Sequence, residues 1–296
     1  MKTFNSRLAG VLSASALAIG LIAIAQPALA AVSGIAFTRH NLGSSGTSGA
    51  HLAASGGANG DASFSSEICV FCHTPHGSNT AVTAPLWNKS ITNTASSYTN
   101  YTSSNSATFD AQAFGPGPVS LACLSCHDGT QAMDNIINEP GSAATTTAYS
   151  TNGNGTSGRA YTWNGSNRIN VEGFLGGGTA SVVAMLGTDL VNDHPVGINY
   201  CAASNTTGTT VTCGDTDFNA VQGAAGSKRY IDTGTLSNGF QKTDLPLYTD
   251  GAVTIVSTIR VECATCHDPH VYSSTGVPFL RTANDGSGVC LACHNK

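Results

Sequence analysis

Hydrophobic side chains form one continuous stretch near the start of this chain and are scattered thereafter. The stretch runs through LAGVLSASALAIGLIAIAQPALA, residues 8–30, behind Lys2 and Arg7, and it ends in Ala28-Leu29-Ala30. A short basic head, an apolar run and an A-x-A ending predict a secretory signal peptide over 1–30, cleaved after Ala30; an uncleaved membrane anchor is the competing reading. No cysteine precedes Cys69, which argues against a lipid-modified N-terminal cysteine. No later segment is apolar for long enough to span a bilayer. Beyond the leader the strand signals are modest. β-Branched residues bunch in TTVTC (209–213) and in GAVTIVSTIRVEC (251–263), which predict short strands. SSYTNYTSSNSATF (96–109) reads as a polar loop or an exposed hairpin.

Composition explains the faint pattern. Glycine supplies 34 of 296 residues, above the usual share of about 7%. Charged residues make up only 10% of the chain, and Ser, Thr and Asn fill much of the remainder. These residues prefer turns and caps to helix interiors. The fold class expected is mostly irregular coil with a few short helices and short β-hairpins. Such elements would bury a poor core by themselves, so something else supplies part of the apolar interior. Two of the 12 basic residues lie in the leader, so the mature chain carries 10 − 17 = −7. That balance argues against nucleic acid as a partner, because nucleic acid needs a basic face.

Ten cysteines change the picture. Eight form four pairs, each followed at once by histidine: CVFCH (Cys69, Cys72, His73), CLSCH (Cys123, Cys126, His127), CATCH (Cys263, Cys266, His267) and CLACH (Cys290, Cys293, His294). C-x-x-C-H reads as c-type haem attachment. Each thiol adds across one haem vinyl group to make a thioether, and the two intervening residues let the backbone bring both sulfurs to the porphyrin edge. The next residue turns its imidazole onto the iron as the proximal ligand. Zinc ribbons also use C-x-x-C pairs but do not require a histidine after each. A thioredoxin-like motif would need a βαβ context that the pattern lacks. The reading is therefore four covalently bound haem c groups, with short helices following the motifs. Attachment of this kind takes place after export, in agreement with the leader. The odd pair, Cys201 and Cys213, brackets the loop AASNTTGTTVT and reads as a disulfide of an oxidising compartment.

Nine histidines are present, and the four motifs use His73, His127, His267 and His294. His40, His51, His76, His194 and His270 remain. Methionine is nearly absent, with only Met133 and Met185 in the mature chain, so histidines are the expected sixth ligands. An internal repeat indicates which ones. The first half reads His40, then CVFCHTPH, then CLSCH; the second reads His194, then CATCHDPH, then CLACH. His40, His76, His194 and His270 are the distal candidates, and His51, in a Gly/Ser-rich loop with no counterpart, is the spare. His73 and His76 cannot easily bind one iron, because one segment would have to reach both porphyrin faces. On a helical turn they would stand about 4.5 Å apart along the axis, which suits ligation of two different haems.

At these residues the chain resembles multihaem c-type cytochromes with doubled C-x-x-C-H motifs. CATCHDPHVYSSTGVPFLRTANDGSGVCLACH carries the likeness most fully, and CVFCHTPHG, CLSCHDGT and DHPVG fit it. The low-charge, Thr/Asn/Gly-rich composition is similar to that of the filament-forming tetrahaem cytochromes of metal-reducing bacteria, the OmcE-type "nanowire" cytochromes. The resemblance implies bis-histidine haems stacked in a continuous chain and subunits that polymerise head to tail. It also implies a histidine of one subunit ligating a haem of the next. Carried over, His76 is the ligand in trans, and His294, near the end of the sequence, holds a haem that could receive it.

The expectation is one domain over 31–296, preceded by the leader 1–30. Residues 31–140 hold haems I and II, 141–250 an insert with Cys201 and Cys213, and 251–296 haems III and IV. The expected activity is electron transfer, without enzymatic turnover, through low-potential bis-histidine haems of an extracellular filament. Its partners are further copies of the chain, redox proteins and external electron acceptors. The competing readings are a monomeric periplasmic or surface shuttle and a multihaem reductase with one open haem.

Overall fold

The computed structural model describes residues 34–46, 51–52, 67–133, 135–138, 163–164, 174–176, 182–203, 211–223, 228–234, 239–249, 259–271 and 279–295. All of them belong to the unit Gly34–Lys296. The leader and most of GAVTIVSTIRVEC lie outside the described residues.

Irregular chain dominates, as a sequence rich in Gly, Ser, Thr and Asn requires. Among the described residues three α-helices are formed: α1 (Pro118–His127), α2 (Cys263–Cys266) and α3 (Gly288–Cys293). Three two-stranded antiparallel ladders join β1 (His51–Leu52) to β2 (Trp163–Asn164), β3 (Ile198–Asn199) to β6 (Arg260–Val261), and β4 (Arg229–Ile231) to β5 (Leu245–Leu247). His51 thus pairs through its backbone in β1, where a loop was expected. Pro246 sits in the middle of β5 without a donor to give, which a two-stranded ladder with a bare edge tolerates. In TTVTC, residues 211–213 form no strand. The loop SSYTNYTSSNSATF opens with a 3₁₀ turn, Ala95–Ser97, and continues as turns.

The helical turns do not follow the motifs, as expected from sequence, but contain them. Cys69–Phe71 is a 3₁₀ turn, α1 ends in Cys123–His127, α2 is CATC, and α3 ends in CLAC. In three of the four, the amide of the motif histidine closes the turn onto the first cysteine's carbonyl: His73 on Cys69 at 2.8 Å, His267 on Cys263 at 3.1 Å and His294 on Cys290 at 2.9 Å. The proline two residues after His73 and after His267 bars further helix, because it lacks a donor and disfavours helix at the residue before it.

Helices α1 and α2 are locked together by one carboxylate. Glu262 is buried, accepts from the Gly117 amide at 3.1 Å and from the Ser120 hydroxyl, and caps α2. Ser120 Oγ in turn accepts from the Cys263 amide at 3.0 Å. A Cβ on Gly117 would meet Glu262 Oε1 at 2.5 Å, so only glycine lets the carboxylate cap the start of α1. A negative charge there also suits the positive end of the helix.

The largest apolar cluster is built from the middle of the chain: Tyr200, Cys201, Ala203, Ile231, Leu245, Leu247, Ile259 and Val261. It forms a socket for the last motif. The Tyr200 hydroxyl reaches the Asn219 carbonyl at 2.9 Å and the Cys293 carbonyl at 3.2 Å, and the Asn219 amide donates to Cys293 at 2.9 Å. The Cys201–Cys213 disulfide closes the edge of this cluster. Cys201 and Ala202 both hold a left-handed backbone, φ 49° and 50°, a costly conformation for residues with a Cβ. Amides of Gly214 and Asp215, just beyond the bridge, both donate to the Cys201 carbonyl. Reducing this disulfide is therefore expected to lower stability by roughly 3 kcal/mol. Urea titration with and without reductant, followed at constant haem absorbance, measures it.

Candidate haem-binding site

Each motif presents its two cysteines one helical turn apart and its histidine where the turn ends. The eight motif cysteines are unbridged, with Cys69 and Cys290 exposed and the rest partly so. Burial pushes the Cys72 thiol up to about 12, Cys266 to about 11 and Cys293 to about 12. These groups are thiols, not thiolates, at neutral pH. Among the described residues no three Cys, His, Asp or Glu side chains converge as a metal cage.

Four of the histidines are each held by a hydrogen bond at Nδ1. Nδ1–H of His73 donates to the Pro85 carbonyl at 2.6 Å, that of His127 to Ala184 at 2.7 Å, and that of His194 to Pro195 at 3.2 Å. His270 donates to the Asp268 carboxylate at 3.1 Å. A carbonyl or carboxylate can only accept, so Nδ1 carries the proton and Nε2 keeps its lone pair for a metal. Metal-bound histidines are usually held in this way. Asp268, in turn, stands 3.6 Å from the Arg281 guanidinium. Its hydrogen bond with His270 holds its carboxyl down at about 2. Burial, and then the charge of His127, lower His40 to about 4, and burial likewise lowers His127 and His194. All three are neutral at pH 7, the form that ligates.

The rings meet in pairs. Two imidazoles on opposite faces of one iron have centres roughly 6 Å apart, given metal–nitrogen bonds of about 2 Å and the two ring radii. His40 and His127 lie 6.0 Å apart with planes at 71°, and His73 and His270 lie 6.1 Å apart with planes at 15°. His294 is close enough to His194 for its charge to act there, and Phe218 covers His294 at 4.5 Å. Two candidates are left over. His76 is exposed, and only its backbone carbonyl is engaged, by Thr74 and Asn138. His267 is exposed too; it lies in electrostatic reach of His127 and His40 without a ring contact to any histidine among the described side chains. His73 and His76 do not share a helical turn, since the chain is extended from His73, which bridges to Trp87.

The motifs also stand in a row. Cys72 feels the charge of Cys126, Cys123 and Cys263 share a hydrogen bond, and Cys266 feels Cys290. The shared bond and then burial push Cys123 well above the usual thiol range. Attachment points therefore succeed one another in chain order. Apolar side chains left exposed at the motifs, Leu86 next to Trp87 and Leu291 between Cys290 and Cys293, offer contact to a flat hydrophobic ring. Cysteine thiols, oriented neutral imidazoles and exposed apolar neighbours together fit a covalently attached haem. A cavity of about 690 Å³ beside Tyr98, Asn100 and Phe114 has neither cysteine nor histidine in its wall and lies apart from this chemistry.

A protein-family model described as the doubled CXXCH motif matches residues 258–296, the span of the last two motifs. The match supports a c-type cytochrome with paired haem-binding motifs, covalently bound haem iron and electron transfer as its task. No curated protein matches the chain.

Proposed function

We propose that this protein is a tetrahaem c-type cytochrome that carries electrons along an extracellular head-to-tail filament of identical subunits, with bis-histidine ligation at every iron. When bound, haem supplies a one-electron iron couple, and nitrogen ligands on both faces leave it no open position for a substrate. The protein's part is to hold the rings. Pro85, Ala184 and Asp268 fix His73, His127 and His270 by their Nδ1–H groups, while the helical turns fix the attachment sulfurs in sequence.

The observation that carries the filament is the pairing of histidines. Among the described side chains His40 faces His127, His73 faces His270 and His194 is coupled to His294, which leaves His76 and His267 over, both exposed. One unpartnered ligand and one unpartnered motif histidine on a chain are what a heterologous, repeating contact needs. The receiving end is then His267 rather than His294, which has His194 beside it. Exposed apolar Leu86, close in sequence to the His76 segment, and the scarcity of charge suit assembly over docking through charged patches.

Electron microscopy of the haem-loaded protein tests this. Filaments of regular width are expected, and His76→Ala should give discrete particles that bind one CO per chain when reduced. Discrete parent particles at every salt and protein concentration, without CO binding, would instead identify a shuttle. CO binding by the parent would identify an open haem and a reductase, the reading that an unpartnered His267 also favours.

A further inference from the structure

One buried charge is not accounted for by ligand orientation. Lys89 is fully buried in a chain with few charges. Its ammonium donates to the carbonyls of Ala132 at 2.7 Å and Met133 at 3.1 Å. An ammonium has three donors, so one is left over. Among the described residues no carboxylate pairs with it. The nearby buried carboxylate on the second-motif loop, Asp128, is occupied by Tyr98, Asn93, Thr130 and Gln131. Carbonyl dipoles alone compensate a buried cation poorly, and a negative group nearby is expected.

The position of Lys89 says which group. Trp87, two residues earlier, bridges to His73, and the Asn88 amide donates to the Cys72 carbonyl at 2.8 Å. The Lys89 ammonium is held by the loop that follows the second motif. It thus lies between the first two motifs. The negative groups a haem brings are its propionates and the electron it takes up.

We propose that Lys89 is the buried counter-charge of the haem attached at Cys69 and Cys72, a potential-setting residue that makes this haem the most easily reduced of the four. The proposal rests on haem attachment at that motif. Glu262, buried between the second and third motifs, places the opposite charge there, so the two side chains grade the row from the first motif onward. A full charge about 10 Å away in a medium of effective dielectric about 20 changes a one-electron equilibrium roughly tenfold.

Redox titration of the holoprotein, with haem located by peptide mass, tests the assignment in Lys89→Gln, Lys89→Met and Lys89→Arg. The two neutral variants are expected to keep four haems and to shift the most positive wave downward. At a fixed potential its reduced-to-oxidised ratio should fall about tenfold, or about 59 mV for one electron. Lys89→Arg should leave the wave in place. Loss of haem from the Cys69–Cys72 peptide in the neutral variants alone also supports a charge partner. Unchanged waves in both neutral variants overturn the proposal, as does an equal shift or equal haem loss in Lys89→Arg. Absence of haem from that peptide in the parent overturns the tetrahaem reading itself.

Discussion

A chain with serine at all eight motif cysteines is expected to have no cooperative unfolding transition and the circular dichroism of an unordered polypeptide. The reason lies in how little the protein buries by itself. Among the described residues the largest apolar cluster has eight buried residues, and the other three have three each. Two of these are built around motif residues: Phe71 with Met133 and Leu42 beside Cys126, and Val82 with Trp87 and Ala122 beside Cys72. Ordering a residue's backbone costs roughly 1–2 kcal/mol, and clusters of this size cannot offset that for a chain made mostly of loops. Porphyrin faces supply the missing apolar surface. Urea titration of the haem-free chain that showed a transition as steep as that of the holoprotein would refute this, because the slope reports the surface exposed on unfolding.

His270→Ala is expected to convert one haem from low-spin six-coordinate to high-spin five-coordinate, with CO bound per reduced chain rising by one over the parent. His270 is the ring facing His73 at 6.1 Å, and its Nδ1–H is fixed by Asp268. No other histidine contacts the His73 ring among the described side chains, so nothing stands ready to replace it. His40→Ala should do the same at the Cys123–Cys126 haem, since His40 faces His127 at 6.0 Å. Absorption and magnetic circular dichroism spectra read the spin state directly. A fully low-spin spectrum in both variants would mean that the pairs were assigned wrongly.

The candidate attachment residues stand out in the sequence because thioether chemistry demands a fixed spacing, and that spacing repeats four times. The candidate distal ligands stand out only as a set. The repeat pointed to His40, His76, His194 and His270, but which ring faces which is decided by contacts between distant segments. His270 illustrates this, since it crosses from the second half to meet His73. Less still was written for the supporting groups. Pro85 and Ala184 act through their carbonyls, which every residue has. Asp268 did leave a trace, as the acid within CATCHDPH. Strand signals failed at TTVTC because the disulfide and the Cys201 carbonyl, rather than a ladder, hold the chain there. Helix placement failed because the helical turn runs through each motif and ends at or beside its histidine, and after His73 and His267 a proline two residues on bars further helix.

The crossing of His270 to His73 also sets a timetable for maturation. Synthesis runs from the N-terminus, so Cys69–His73 is made well before His270, the ring that faces His73. On the proposed ligation, a haem attached there in that interval would have one bare face, open to oxygen and to small ligands. If that ligation holds, a maturation apparatus serving this chain must shield its earliest product the longest, and a chain truncated between the two halves would carry haem with an open position.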